Sequence, residues 1–527
     1  MKYIIIGSGL AGLTTGAFLA QAGHEVQIFE QFHEIGGVTA TIHQDGYAWD
    51  IGPILLGGFG PKGECTRALR ELGLYDQLEL IHGDRGLLTP DFAFWPPTAF
   101  PTSNHSSIPP PDLYWRKKRL QALFPSETKA LDRYYVYLRI LKLTHLSNKV
   151  KDQKGFKRFV TKTRLLFLVL PINYMMTWNA TQFLDHFFAE PKIKGLFAGI
   201  LADFVIKPSQ CPGLGIPIVN EETAFDMRIP LEPERNAYQH AFYYIKDGCE
   251  QLVHLLVNFI KNHGGQIHAS SRVTRIILSS EDYAQAQAEG IQLTSGETYK
   301  ADGIISAITA VPTFTQLLPL GILPYKFQQK VQQLNYMQSV FMVHIGIDFD
   351  PTPFQPIALA YYYRTYDIKE AVNRVTNGIY HEGKDGFLIY IPSLHSPTMA
   401  PSGKHAITIY TVAPNIVKEE SKGWTSHREY YADKLIQIAE EYIPGLRDHT
   451  QIRLIMTPED FKTRIAVDHH SFGGTAPVIG AESIPYITPI PNLWYVGCQS
   501  ESQGGVENQM KGGREVSTII AQKWKKL

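Results

Sequence analysis

The sequence predicts an α/β protein built on a dinucleotide-binding unit that two inserted segments interrupt. Three observations predict it. Residues 2–30 read as strand, glycine turn, helix, strand, acid. Residues 492–523 read as strand, glycine-rich turn, helix. Between them, residues 244–307 return to a helix flanked by short apolar strands. A unit whose strands come from both ends and the middle of one chain must be assembled around insertions.

Residues 2–6 (KYIII) are a short apolar run suited to a buried parallel strand. Gly7-Ser8-Gly9-Leu10-Ala11-Gly12 comes next, then small residues in a helix to about Ala22, ended by Gly23-His24. Residues 25–29 (EVQIF) form the second strand, with Glu30 at its end. This is the front of a Rossmann-type fold. Gly7 permits the tight turn, and Gly9 lets the backbone approach a pyrophosphate. Gly12, extended by Gly16, lets the helix lie close to the sheet. The helix start offers unbonded N–H groups and the positive end of a dipole, and Glu30 can accept from a ribose diol. The motif alone is compatible with NAD or FAD.

The next residues favour FAD. Gln31-Phe32-His33-Glu34-Ile35 leads to Gly36-Gly37 and then Val38-Thr39, and Tyr47-Ala48-Trp49-Asp50-Ile51-Gly52-Pro53 lies beyond. A double glycine just after the acid, then an aromatic-x-x-Asp-x-Gly run, resembles the flavin amine oxidase and phytoene desaturase superfamily. The resemblance implies that Gln31, Gly37, Val38 and Thr39 continue along the FAD pyrophosphate. It implies that Gly52, Pro53 and Ile54 pass the isoalloxazine ring. One departure is plain: Val38 stands where relatives carry a basic residue.

The C-terminal half of the signature is Asn492-Leu493-Trp494-Tyr495-Val496-Gly497, a turn containing Ser502-Gln503-Gly504-Gly505-Val506, and a helix from about Glu507 to Lys523 with Gly512-Gly513-Arg514 inside it. It resembles the terminal flavin motif of bacterial phytoene desaturases and carotenoid isomerases. That implies contact of Gly497, Cys498, Gly505 and Val506 with the flavin, with the helix start at its pyrimidine edge. Cys498 replaces the Asp of many relatives.

In the middle, Tyr244-Ile245-Lys246-Asp247-Gly248-Cys249 precedes an amphipathic helix near 250–263, ended by Gly264-Gly265. Strands are predicted at 266–268 and 272–277. In the family this is the returning FAD segment, in which Val273 meets the adenine through its backbone; one glycine, Gly248, replaces the usual pair. Residues 301–307 match the strand that closes the segment. Thr457-Pro458-Glu459-Asp460 and Gly473-Gly474 match the lead-in to the terminal motif.

The expected organisation is therefore an FAD-binding domain at 1–95, 240–310 and 455–527. A helical substrate and membrane-contact insertion fills 96–239, and a mixed α/β substrate domain fills 311–454. The latter shows strand-like runs at 339–348, 386–391 and 405–412 and a helix near 427–442. In the first insertion, Lys142, Lys149, Lys151, Lys154, Lys157, Arg158 and Lys162 lie between Arg139 and Arg164, opposed only by Asp152. The apolar-aromatic run 165–178 adjoins it directly. It contains Pro171 and is shorter than the roughly 18 residues of a spanning helix. A basic stretch abutting an apolar one suits peripheral contact with anionic lipid. The competing reading is a core helix beside a solvated face.

Fifty Lys and Arg balance fifty Asp and Glu, which argues against nucleic acid as the partner. Cys65, Cys211, Cys249 and Cys498 form no CxxC pair and are read as reduced thiols. The first residues are read as a strand rather than a leader, because Gly7, Gly9, Gly12 and Gly16 break the apolar run. The expected location is cytoplasmic, with peripheral attachment to a membrane. No nucleophile–base pair and no metal-ligand spacing stands out, and His469-His470 is read as a solvated pair. In the family the cofactor carries the difficult step by accepting hydride. Glu501 and Glu507 flank the expected flavin edge and are the candidates for proton handling. The reading is an FAD-dependent oxidoreductase of the phytoene desaturase type, acting on a lipid-soluble polyene or isoprenoid by desaturation, saturation or isomerisation. An amine-oxidase-like enzyme on a smaller substrate, or a flavin-bound scaffold without activity, are the alternatives.

Overall fold

The computed structural model describes residues 1–61, 63–83, 85–95, 115–136, 150, 153–219, 242–415, 423–465 and 474–524. His469-His470, Gly473 and the cationic positions 139, 142, 149 and 151 lie outside the described residues.

A five-stranded parallel sheet forms the cofactor side, in the order Leu493–Tyr495, Gly303–Ser306, Lys2–Ile6, Glu25–Phe29, Gln266–His268. Its members come from the three expected segments. The central strand is buried at Tyr3, Ile4 and Ile5, each 0% exposed, as a strand covered on both faces must be. The first helix, Leu10–Gln21, packs on this sheet together with the terminal helix, Val506–Trp524, and with Glu250–Asn262. A Cβ at Gly16 would lie 3.0 Å from Ile28 Cδ1, and one at Gly513 2.9 Å from Ala11 O. Small residues are what let the two helices and the sheet approach so closely. A three-stranded sheet, Val273–Leu278, Ala288–Leu293 and Thr298–Lys300, covers the end of this unit.

The second unit is a seven-stranded sheet: Thr450–Met456, Ser339–Ile347, His405–Ala413, Gly386–Tyr390, Leu359–Tyr363, Arg85–Leu88, Ala93–Phe94. Strands expected at 339–348, 386–391 and 405–412 lie within about a residue of this, and the helix expected near 427–442 is Trp424–Ala439. One feature had no sequence signal. Residues 85–94, placed with the front segment, pair into this sheet, Arg85–Leu88 running parallel to Leu359–Tyr363. The front segment thus contributes to both sheets and ties them together.

In the first insertion, Gly155–Val169 is helical and continues as a 3₁₀ turn, Leu170–Met175. The helices Ala180–Phe187, Pro191–Ala198 and Ile200–Asp203 then bury Phe183, Ile193, Phe197 and Leu201 completely. Among the described residues no helix is long and apolar enough to cross a membrane.

Candidate active site

The first glycine turn is built by contacts that its own residues dictate. Gly7 sits at φ +98°, a conformation side chains rarely adopt, and its N–H donates to Phe29 O at 2.8 Å. A Cβ at Gly12 would lie 2.2 Å from Gly7 O. Gly9 is different. Its φ is −64° and a Cβ there meets no atom within 4 Å. Nothing in the chain itself requires glycine at that point; the open space before it is a cavity. Leu10 and Ala11 begin the helix there without any side-chain cap, so the helix start keeps N–H groups for a ligand.

Glu30 is 8% exposed and borders the same cavity. The Ser8 N–H and Oγ–H donate to its Oε2 at 2.9 and 2.7 Å, and the Phe32 N–H donates to its Oε1 at 2.9 Å. An ionised carboxylate offers about four acceptor positions, so these bonds aim the group and leave room for a ribose hydroxyl. Gly36 and Gly37, at φ +116° and +62°, lie directly against the first motif: Gly36 bridges to Gly9, and a Cβ at Gly37 would be 3.6 Å from Gly9 Cα. Gly52 meets the Val38 carbonyl, which a Cβ would approach to 2.0 Å.

One cavity of about 1290 Å³ joins these pieces. Gly7, Gly9, Leu10, Ala11, Glu30, Gln31, Gly37, Val38, Thr39, Gly52, Pro53, Ile54, Val273, Gly497, Cys498, Gly505 and Val506 all border it. Ser8 and Gly12 do not; they act beneath the surface, Ser8 by holding Glu30 and Gly12 by clearing the Gly7 carbonyl. The volume exceeds the roughly 300–1,000 Å³ of a pocket for a drug-sized ligand. At the far end the wall passes to Met337, to Val340, Leu359 and Leu388 of the second sheet and to Ile200 and Phe204 of the insertion.

The residues fit FAD on the structure's own terms. The space before Gly9 has no protein tenant, and the buried Thr309 Oγ1, at the cavity wall, has no hydrogen-bond partner. The terminal helix starts at the wall through Gly504, Gly505 and Val506. Burial pushes the Cys498 thiol up to about 12, so the residue that replaces an acid is a neutral one at ordinary pH.

The two proton-handling candidates lie elsewhere. Glu507 Oε1 accepts from the Glu64 N–H at 3.2 Å, the first residue of the helix Glu64–Glu71. Glu501 is exposed, and its Oε1 accepts from the Tyr486 N–H at 3.2 Å. Neither borders the cavity. Sequence reasoning missed Asp203, Tyr361, Tyr410 and Arg464, which do border it. Asp203 closes a short helix with no motif around it, and its position at the wall depends on tertiary packing.

The chain matches the model of the family described as flavin containing amine oxidoreductase over residues 10–518. Among curated proteins it is 23% identical to a 4,4'-diapophytoene desaturase (4,4'-diapolycopene-forming) of Methylomonas sp, over 99% of this chain and 95% of that one. It is 22% identical to pyridine nucleotide-disulfide oxidoreductase domain-containing protein 2 of Rattus norvegicus, over 98% and 92%. Among solved structures, an oxidoreductase from Methanosarcina mazei superimposes with a TM-score of 0.60 at 18% identity, covering 98% of this chain and 100% of the other. Cyclohexylamine oxidase from Brevibacterium oxydans IH-35A does so with 0.59 at 14% identity, covering 99% of each. Fold, cofactor cradle and family match agree: the chain belongs to the flavin-containing amine oxidoreductase family and is an FAD-dependent oxidoreductase.

Proposed function

We propose that this enzyme acts on a long apolar polyene or isoprenoid, changing its hydrogenation or double-bond geometry. The observation that carries the reading is the continuity of one cavity from the glycine motifs into an apolar end walled by Met337, Val340, Leu359, Leu388, Ile200 and Phe204. An elongated hydrocarbon gains by burial there, at about 25 cal/mol per Å² of apolar surface. The diapophytoene desaturase of Methylomonas sp, alignable over almost the whole chain, supports the same direction.

Bound FAD supplies hydride transfer. The chain's own groups orient and shield. The start of Val506–Trp524 directs N–H groups and a positive dipole end toward the cavity, which favours negative charge developing there. The second sheet lines that end with the apolar side chains of Val340, Leu359 and Leu388. Asp203, a carboxylate at that wall within 3.5 Å of the Tyr363 hydroxyl, is placed to hold a proton near substrate.

One aromatic ring of the wall packs against a buried cation. Arg85 is 2% exposed and its guanidinium lies 4.3 Å from the centroid of Tyr361, a wall residue. That ring therefore already has a cation on one face.

A lipid-soluble substrate needs a route, and Gly155–Val169 provides a membrane-facing surface in this reading. Phe156, Phe159 and Phe167 are 81%, 66% and 67% exposed, interleaved with Lys154, Lys157, Arg158, Lys162 and Arg164. Exposed aromatics among cations on one helix fit the boundary between headgroups and acyl chains. Mass spectrometry of lipid extracted from the purified protein tests the substrate class. Enrichment of an acyclic isoprenoid or polyene is expected; enrichment of a polar amine, with no isoprenoid, would contradict it.

A further inference from the structure

Val38 leaves the double-glycine segment without the cation that a diphosphate attracts. The start of the first helix carries only about half an elementary charge, against two formal charges on a diphosphate. A guanidinium from 427 residues further along the chain reaches the same place. Arg464, in the helix Pro458–Ile465, is 6% exposed and borders the cavity beside Gly37 and Val38. Its Nε–H donates to Gly37 O at 2.7 Å. Its guanidinium lies over Phe32, 4.9 Å from the ring centroid. Its Nη2 is 2.7 Å from Glu34 Oε2, a half-exposed carboxylate, yet no N–H of that buried nitrogen is aligned on an acceptor.

The guanidinium is therefore fixed in position against the double glycine and still holds a buried donor without a well-directed bond. Burying such a donor is unfavourable unless an acceptor completes it. An arginine fork matches phosphate oxygens in geometry as well as charge. We propose that Arg464 binds the diphosphate of FAD and takes over the role that a basic residue at position 38 would have. The helix Pro458–Ile465 thereby couples the second sheet, through the adjoining strand Thr450–Met456, to cofactor retention. This rests on the FAD site and is independent of the substrate class.

The test uses full-length apoprotein, titrated with FAD by flavin fluorescence and with ADP by thermal shift. Arg464→Gln is expected to weaken both ligands by roughly 10- to 100-fold, the range for a lost charged hydrogen bond, while the melting point of the apoprotein stays near that of the parent. Adding Val38→Arg to that variant is expected to restore part of the affinity, and Glu34→Gln alone is expected not to weaken it. Arg464→Lys keeps the charge without the fork and provides a second, milder loss if the glutamine variant folds poorly. Parent-like affinity for FAD and ADP in both Arg464 variants would overturn the proposal. So would a loss that tracks a lower apoprotein melting point, recurs in Glu34→Gln and is not rescued by Val38→Arg, because Arg464 would then only brace the 32–37 loop. Failure of the parent itself to bind ADP or FAD would instead count against the cofactor site.

Discussion

Gly12 lies directly under the carbonyl of Gly7, and a Cβ at residue 12 would stand 2.2 Å from that oxygen, whereas one at Gly9 meets no atom within 4 Å. The two glycines of one motif therefore have separable jobs. Gly12→Ala is expected to destabilise the apoprotein by about 1–3 kcal/mol, the usual range for forced overpacking. Gly9→Ala is expected to leave apoprotein unfolding unchanged and to weaken FAD binding, since its methyl group enters the cavity. Denaturant unfolding of the two apoproteins and an FAD titration separate them. Normal FAD affinity in Gly9→Ala would remove the pyrophosphate from that position.

Glu507 serves the neighbouring helix rather than the flavin in this structure, since its carboxylate accepts from the Glu64 N–H at 3.2 Å. Glu507→Gln is expected to keep turnover near the parent value and to lower unfolding free energy by about 0.3–1 kcal/mol, as for a charge at a helix start. A large fall in kcat with stability intact would return Glu507 to the catalytic machinery.

Two buried histidines, His344 and His381, and a partly buried one, His395, should make stability depend on pH. Burial lowers His344 and His395 to about 3 and His381 to about 4. Each is held by a hydroxyl: Thr408, Tyr390 and Thr411 respectively. Between these values and the unfolded value of about 6.5, the unfolded chain binds more protons, so stability falls as pH falls. From pH 7.5 to 5 the loss is about 2 kcal/mol for a fully buried histidine of this kind. Unfolding of the parent and of His344→Gln at pH 7.5 and 5 checks this, with a shallower dependence expected in the variant. Identical slopes would exclude His344 as a contributor.

The exposed helix Gly155–Val169 predicts binding to anionic vesicles that weakens with salt, because exposed charges are screened over about 8–10 Å near physiological ionic strength. Replacing Lys154, Lys157 and Arg158 by Glu is expected to release the protein, and Phe156→Ser with Phe159→Ser to weaken the salt-resistant part. Sedimentation with vesicles measures both. Equal binding to neutral and anionic vesicles, or binding to neither, would remove this face as the contact.

The cofactor side was legible in the sequence because its signals are local. Gly7 to Glu30 specify a turn, a helix start and an acid within one strand–helix–strand unit, and the amphipathic period of Glu250–Asn262 stands out against its flanking strands. Side-chain direction was read poorly. Glu507 comes directly after Val506 at the cavity, but successive helix residues point about 100° apart, and Glu507 turns to Glu64. Pairings that span the chain were not visible either. Arg85–Leu88 finds its partner in Leu359–Tyr363, and Arg464 finds Gly37, through folding of the whole molecule. Neither leaves a periodicity or motif in its own neighbourhood.

Whether flavin chemistry here is directed at an apolar polyene is decided by one experiment. The purified holoenzyme is mixed anaerobically with vesicle-borne acyclic isoprenoids, and separately with cyclohexylamine or putrescine, and the flavin spectrum and the extracted hydrocarbon are followed together. An isoprenoid is expected to change in hydrogenation or double-bond geometry, with bleaching of oxidised flavin where it is desaturated, and neither amine is expected to alter the spectrum. Bleaching by an amine, with every isoprenoid recovered unchanged, would contradict the polyene assignment.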